Sequence, residues 1–100
     1  MAKYVIQWKN RDVGGDETMG RRLLDVYSKW TPAATIIQMV SGLDGTTGLS
    51  IVETDNPLDV LRDTSKFEAW LDFTVTPVLD IMDAMPAFNE AIDYIDSIPK

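Results

Sequence analysis

From Ala2 to Lys9 the side chains sort by twos, with Tyr4, Ile6 and Trp8 on one side and Val5, Gln7 and Lys9 on the other. A period of two carried by β-branched and aromatic residues predicts a strand. The polar run 10–15, ending in a glycine pair, reads as a loop. The period then lengthens. Met19, Leu23, Val26, Tyr27 and Trp30 recur at helical spacing, with Asp16 or Thr18 placed to cap the first turn. Thr31-Pro32 stops this helix, because the residue before proline is pushed out of the helical region. Period two returns over Thr35 to Ser41, where Ile37 and Met39 oppose Ile36, Gln38 and Val40. It resumes over Gly48 to Thr54, where Leu49 and Ile51 oppose Ser50 and Val52. Between these strands glycine stands at 42, 45 and 48. A phosphate cradle needs a helix after such a loop, and here a strand follows, so the stretch predicts a hairpin turn that uses glycine for positive φ.

Asn56-Pro57 marks the next helix start, with Asn56 as cap, Pro57 at the first helical position and Asp59 near the positive dipole end. Leu58, Leu61, Phe67, Trp70 and Leu71 form its apolar face, and Thr64-Ser65 predicts a bend or break. A fourth strand runs from Phe73 to Val78, with Phe73 and Val75 opposite Thr74 and Thr76. Pro77, lacking an N–H, places it at a sheet edge. A last helix is expected over Asp83 to Ser97, with Pro86 in its first turn and Phe88, Ala91, Ile92, Ile95 and Ile98 as its stripe.

The order β-α-β-β-α-β plus a C-terminal helix predicts a single α+β domain over residues 1–100 of ferredoxin-like architecture. Its four-stranded antiparallel sheet has order 4-1-3-2, with helices on one face. The helix side is expected to carry Tyr4, Ile6, Trp8, Ile37, Met39, Leu49, Ile51, Phe73 and Val75. The other side then holds Val5, Gln7, Ile36, Gln38, Val40, Ser50, Val52, Thr74 and Thr76. A sheet face open to water usually carries charges, and this set has none. The expectation is a homodimer with sheets packed face to face through Val5, Gln7, Ile36, Gln38, Val40 and Val52.

Charge and composition narrow the chemistry. With 16 acidic and 9 basic residues the net charge is −7, a field that repels nucleic acid. Arg21-Arg22, the one dense basic pair, reads as a solvated helix face. No apolar run approaches the ~20 residues of a membrane span, and Met1-Ala2-Lys3 leads straight into a strand, so a cytoplasmic location is expected. The chain has no Cys and no His, which removes thiolate nucleophiles, most zinc sites and the usual general base. Neither a metal nor a cofactor is expected.

Five stretches carry a resemblance: Lys3-Tyr4-Val5-Ile6-Gln7-Trp8, Val26-Tyr27-Ser28-Lys29-Trp30, Val52-Glu53-Thr54-Asp55-Asn56-Pro57, Lys66-Phe67, and Phe73-Thr74-Val75-Thr76-Pro77-Val78. Together they resemble a family of short bacterial proteins described as a domain of unknown function. The Gly- and Asp-containing loop 42–48 is similar too. The resemblance implies a ferredoxin-like fold akin to dimeric α/β-barrel proteins, among them cofactor-free monooxygenases, stress-responsive barrel proteins and haem degraders. It brings no catalytic residues, and the histidine of a haem-degrading relative is missing here.

Function rests on the rings. Tyr4, Trp8, Tyr27, Trp30, Phe67 and Trp70, with Met39, either fill the core or line an apolar pocket between sheet and helices. Lys66 and Ser65 at its mouth would suit a fatty-acid-like molecule. Glu53 and Asp55 share a strand face and could act as acid and base or hold a hard cation, but a strand-end ion pair for Glu53 and a helix-cap role for Asp55 explain them better. Asp59/Asp63 and Asp93/Asp96 read as solvated helix faces. The chain therefore reads first as a non-enzymatic homodimer binding a small apolar molecule. A cofactor-independent monooxygenase or isomerase, and a protein-interaction module, stand as alternatives.

Overall fold

A computed structural model describes residues 1–11 and 17–100, without the side chains of 17–19. In chain order the elements are β1 (Ala2–Asn10), α1 (Glu17–Lys29), β2 (Thr35–Ser41), β3 (Thr47–Thr54), α2 (Leu58–Ser65), β4 (Leu71–Val78) and α3 (Ile81–Asp96). The sheet is antiparallel with order β2-β3-β1-β4, the ferredoxin-like arrangement expected, and Pro77 lies on the edge strand β4. The cap expected at Asp16 falls outside the described residues, as does most of the loop 10–15, and Thr18 already lies within α1.

Pairing corrects two face assignments. Antiparallel partners share a face, and β3 sets Val52 opposite Tyr4, Ser50 opposite Ile6 and Gly48 opposite Trp8. Ser50 and Val52 therefore face the helices and are buried, while Leu49 and Ile51 lie on the open side. The inverted expectation took the more apolar pair as internal. Side-chain volume decides otherwise: the Trp8 indole lies across Gly48, where a Cβ would overlap the ring. In β2 the register shifts between Ile36 and Gln38. This bulge puts one extra residue, Ile37, into the strand and resets its phase, so Ile36 and Met39 both face the helices and Ile37 is exposed. Of the six residues assigned to a dimer face, Val5, Gln7, Gln38 and Val40 lie on the open side, whereas Ile36 and Val52 belong to the core.

The corrected open face keeps an uncharged middle: Val5, Gln7, Gln38, Val40, Leu49, Ile51, Thr74 and Thr76. Lys3 and Glu53 stand at one end, Lys9 and Asp72 at the other. On the helix side Ile6, Ala34, Val52 and Val60 form the core, with Tyr4, Ile36 and Phe73 packed against it. The core is thin, for among the described residues no large side chain is completely buried.

The local signals act largely as read. Asn56 Oδ1 accepts the Leu58 amide at 3.1 Å and so satisfies the first amide of α2, just ahead of Pro57 at the helix start, while the Thr54 hydroxyl accepts the Asn56 amide at 3.1 Å and donates to Asp59 at 2.6 Å. The Thr54 hydrogen bond, aided by Arg62, holds the Asp59 carboxyl below the usual aspartate range. In the hairpin Gly45 has φ +75°, and Asp44 accepts the Thr46 amide at 3.0 Å, which lowers the Asp44 carboxyl. α2 ends at Ser65, and turns across 66–70 lead into β4, which begins at Leu71 rather than Phe73. α2 is also rotated from its expected phase: Val60, Asp63 and Thr64 are buried, and Leu58 and Leu61 are exposed.

α3 differs most. It starts at Ile81, so Pro86 lies in its second turn rather than its first and removes one backbone hydrogen bond. None of its residues is buried. The helix projects from the body. The molecule measures 63 × 29 × 20 Å, and its radius of gyration is 18.4 Å, against ~13 Å for a compact chain of this length.

Candidate functional site

α1 stands off the sheet and leaves an open cleft of about 450 Å³ on the helix side. The sheet supplies Ile6, Trp8, Met39, Ser50, Leu71 and Phe73. α1 and the residue after it supply Leu23, Leu24, Tyr27 and Trp30, and α2 with its following turn supplies Asp63, Thr64 and Phe67. Asn10, Val40, Ser41 and Gly45 complete the rim. The lining is mostly apolar with a few polar groups, the usual make-up of a small-molecule site.

Three aromatic side chains form one wall. Trp30 meets Phe67 edge-on at 5.1 Å between centroids and 82° between planes, and Tyr27 lies tilted against Trp30 at 6.0 Å. Both are favoured aromatic geometries. The Tyr27 hydroxyl donates to the Met39 sulfur at 3.7 Å and bridges α1 to β2. Trp30 is held from behind. Its Nε1–H donates to Asp63 Oδ1 at 3.1 Å, and the same carboxylate accepts the Ala33 amide at 2.8 Å and the Ala34 amide at 3.0 Å. Asp63 is 6% exposed. It ties the α1–β2 connection to α2 and fixes the indole plane facing the cleft.

Of the seven residues expected to line a pocket, Trp8, Tyr27, Trp30, Met39 and Phe67 do so. Tyr4 packs on the core instead, and Trp70 lies off the cleft, its indole N–H buried without a partner among the described residues. Lys66 and Ser65 do not line it either. Asp63, expected on a solvated face, is the residue that sequence reasoning missed most plainly. The missed signal was the spacing Val60, Asp63/Thr64, Phe67, a helical stripe interrupted by polar residues. Glu53 meets Lys3 at 3.8 Å on the open face, and Asp55 is exposed. No cluster of metal-ligating residues occurs among the described residues. No helix among them is long and apolar enough to cross a membrane.

Fold and cleft together define a small ferredoxin-like α+β domain with an aromatic cleft on its helix side. The chain belongs to the family described as Domain of unknown function (DUF3303), whose family model matches residues 2–92. No curated protein matches it significantly.

Proposed function

We propose that the protein is a non-enzymatic homodimer that binds a small, neutral, apolar molecule between α1 and the sheet. The observation that carries this reading is the stand-off of α1, which leaves an aromatic-walled space of about 450 Å³, within the ~300–1,000 Å³ usual for ligand sites. Neutrality follows from the lining. Its polar groups are Asn10, Ser41, Ser50, Thr64, the Tyr27 hydroxyl, the Trp8 and Trp30 indole N–H groups and Asp63, and no Lys or Arg is among the described lining residues. A fatty-acid carboxylate would lose water there without gaining a counter-charge. A ring compound with one hydroxyl or carbonyl suits the site better. Asp63, which already accepts three hydrogen bonds, serves position rather than proton transfer. Pairing is supported by the uncharged middle of the open sheet face and by the thin core, both of which gain from a second copy.

Titration with 2-naphthol and with decanoate, followed by tryptophan fluorescence, tests the ligand class. Saturable quenching by 2-naphthol is expected, with decanoate at least 10-fold weaker and Met39→Trp blocking both. Absence of saturable quenching, or preference for decanoate, overturns the reading.

A further inference from the structure

We infer that the apolar face of α3 docks on a second copy of this chain, over the mouth of that copy's aromatic cleft, between α1 and the edge strand β2. This rests on the pairing proposed above and adds what closes the site. In α3, Ile81, Met85, Phe88, Ile92 and Ile95 follow a four-three-four-three spacing, the seam of a helix that packs on a partner. All five are exposed, at 38–66%. The exit of α3 is anchored by Lys3, whose ammonium lies 2.6 Å from the Asp80 carboxylate. Lys3 belongs to the open face of the sheet, so the helix leaves from the side on which a second copy sits.

Charge and area select the occupant. α3 carries Asp83, Glu90, Asp93 and Asp96 and no Lys or Arg, so an anionic membrane surface repels it, and so does a second α3. The cleft mouth instead presents Leu24 and Tyr27, exposed at 68% and 51%, and α1 carries Arg21 one turn before Leu24, outside the cleft lining. At roughly 180 Å² per fully exposed large side chain, the α3 stripe offers on the order of 500 Å². Stripe against stripe would hide only about 1,000 Å² in total, below the ~1,200–2,000 Å² of a stable interface. Two reciprocal dockings hide about twice as much and reach that range. Reciprocal exchange is also closed two-fold symmetry, with both halves of the contact present in one chain.

The chain has no cysteine, so engineered thiols report cleanly. Leu24→Cys and Ile92→Cys proteins are made separately, mixed and oxidised. The mixed disulfide dimer is expected to form at least 10-fold faster than with Glu90→Cys, on the back of α3, in place of Ile92→Cys. Ile92→Asp, at an exposed position that leaves the fold intact, should weaken self-association at least 10-fold by sedimentation. Preferential coupling of Ile92→Cys to itself overturns the inference by showing that helix meets helix. A dimer by sedimentation that gives no mixed coupling above the control overturns the exchange and leaves the pairing standing. A monomer at every concentration overturns both.

Discussion

Replacing Asp63 with alanine should cost about 4 kcal/mol of stability. Three donors converge on its carboxylate: the Ala33 and Ala34 amides at 2.8 and 3.0 Å and the Trp30 indole at 3.1 Å. Ala34 is buried at 4% exposure, so its orphaned N–H carries the full desolvation penalty, ~1–3 kcal/mol. Ala33 is exposed and Trp30 half-buried. Water replaces the lost acceptor there, at ~0.5–1.5 kcal/mol each. The total is a large share of the ~5–15 kcal/mol that holds a domain of this size together. Asp63→Asn keeps one carbonyl oxygen for Trp30 and Ala33 but turns an amide N–H₂ toward the Ala34 N–H, and should lose about 2 kcal/mol. Urea unfolding followed by tryptophan fluorescence measures both, with an unchanged slope showing that compactness is kept. If Asp63→Ala lies within 1 kcal/mol of the wild type, or Asp63→Asn equals it, the carboxylate does not hold the cleft wall as described.

Three further outcomes are expected. Gly48→Ala puts a methyl into the Trp8 indole and should cost ~1–3 kcal/mol, with an altered near-ultraviolet dichroism spectrum; unchanged stability and spectrum would contradict the packing. Asp59 has a depressed folded pKa, caused first by the Thr54 hydroxyl and then by Arg62, so its contribution is complete above the ordinary aspartate value and is lost as pH falls through the lower folded one. Thr54→Val should bring the Asp59 titration, followed by carboxyl-carbon NMR, back toward the ordinary value. Ile51→Lys places a charge in the uncharged middle of the open face and should weaken self-association at least 10-fold by sedimentation, whereas unchanged self-association would show that this face is not part of the contact.

Element order and the edge position of β4 are legible because each rests on local chemistry, namely period-two runs, Asn56-Pro57, Thr31-Pro32 and Pro77, and strand order then follows from the right-handed crossover rule. Sidedness was less so. In β3 both alternating sets contain aliphatics, and what decides is that Trp8 and Ile6 need the small Gly48 and Ser50 opposite them, which only the register reveals. In β2 a bulge at Ile37 broke an alternation that looked regular. The rings of the cleft could be named in advance, since few residue types make such a wall, yet Tyr4 and Trp70 carry the same signal and lie elsewhere. The stripe Val60, Asp63/Thr64, Phe67 marks Asp63 as inward-facing, but its role is not legible in the sequence, because two of its three partners are main-chain amides.

The three tryptophans supply an internal control for the central claim, because Trp8 and Trp30 line the cleft and Trp70 does not. Two-dimensional NMR of the three indole N–H groups during titration with 2-naphthol reads all of them at once. Progressive, saturable shifts of Trp8 and Trp30 with Trp70 unmoved are expected; equal movement of all three, or none, would contradict a ligand site between α1 and the sheet.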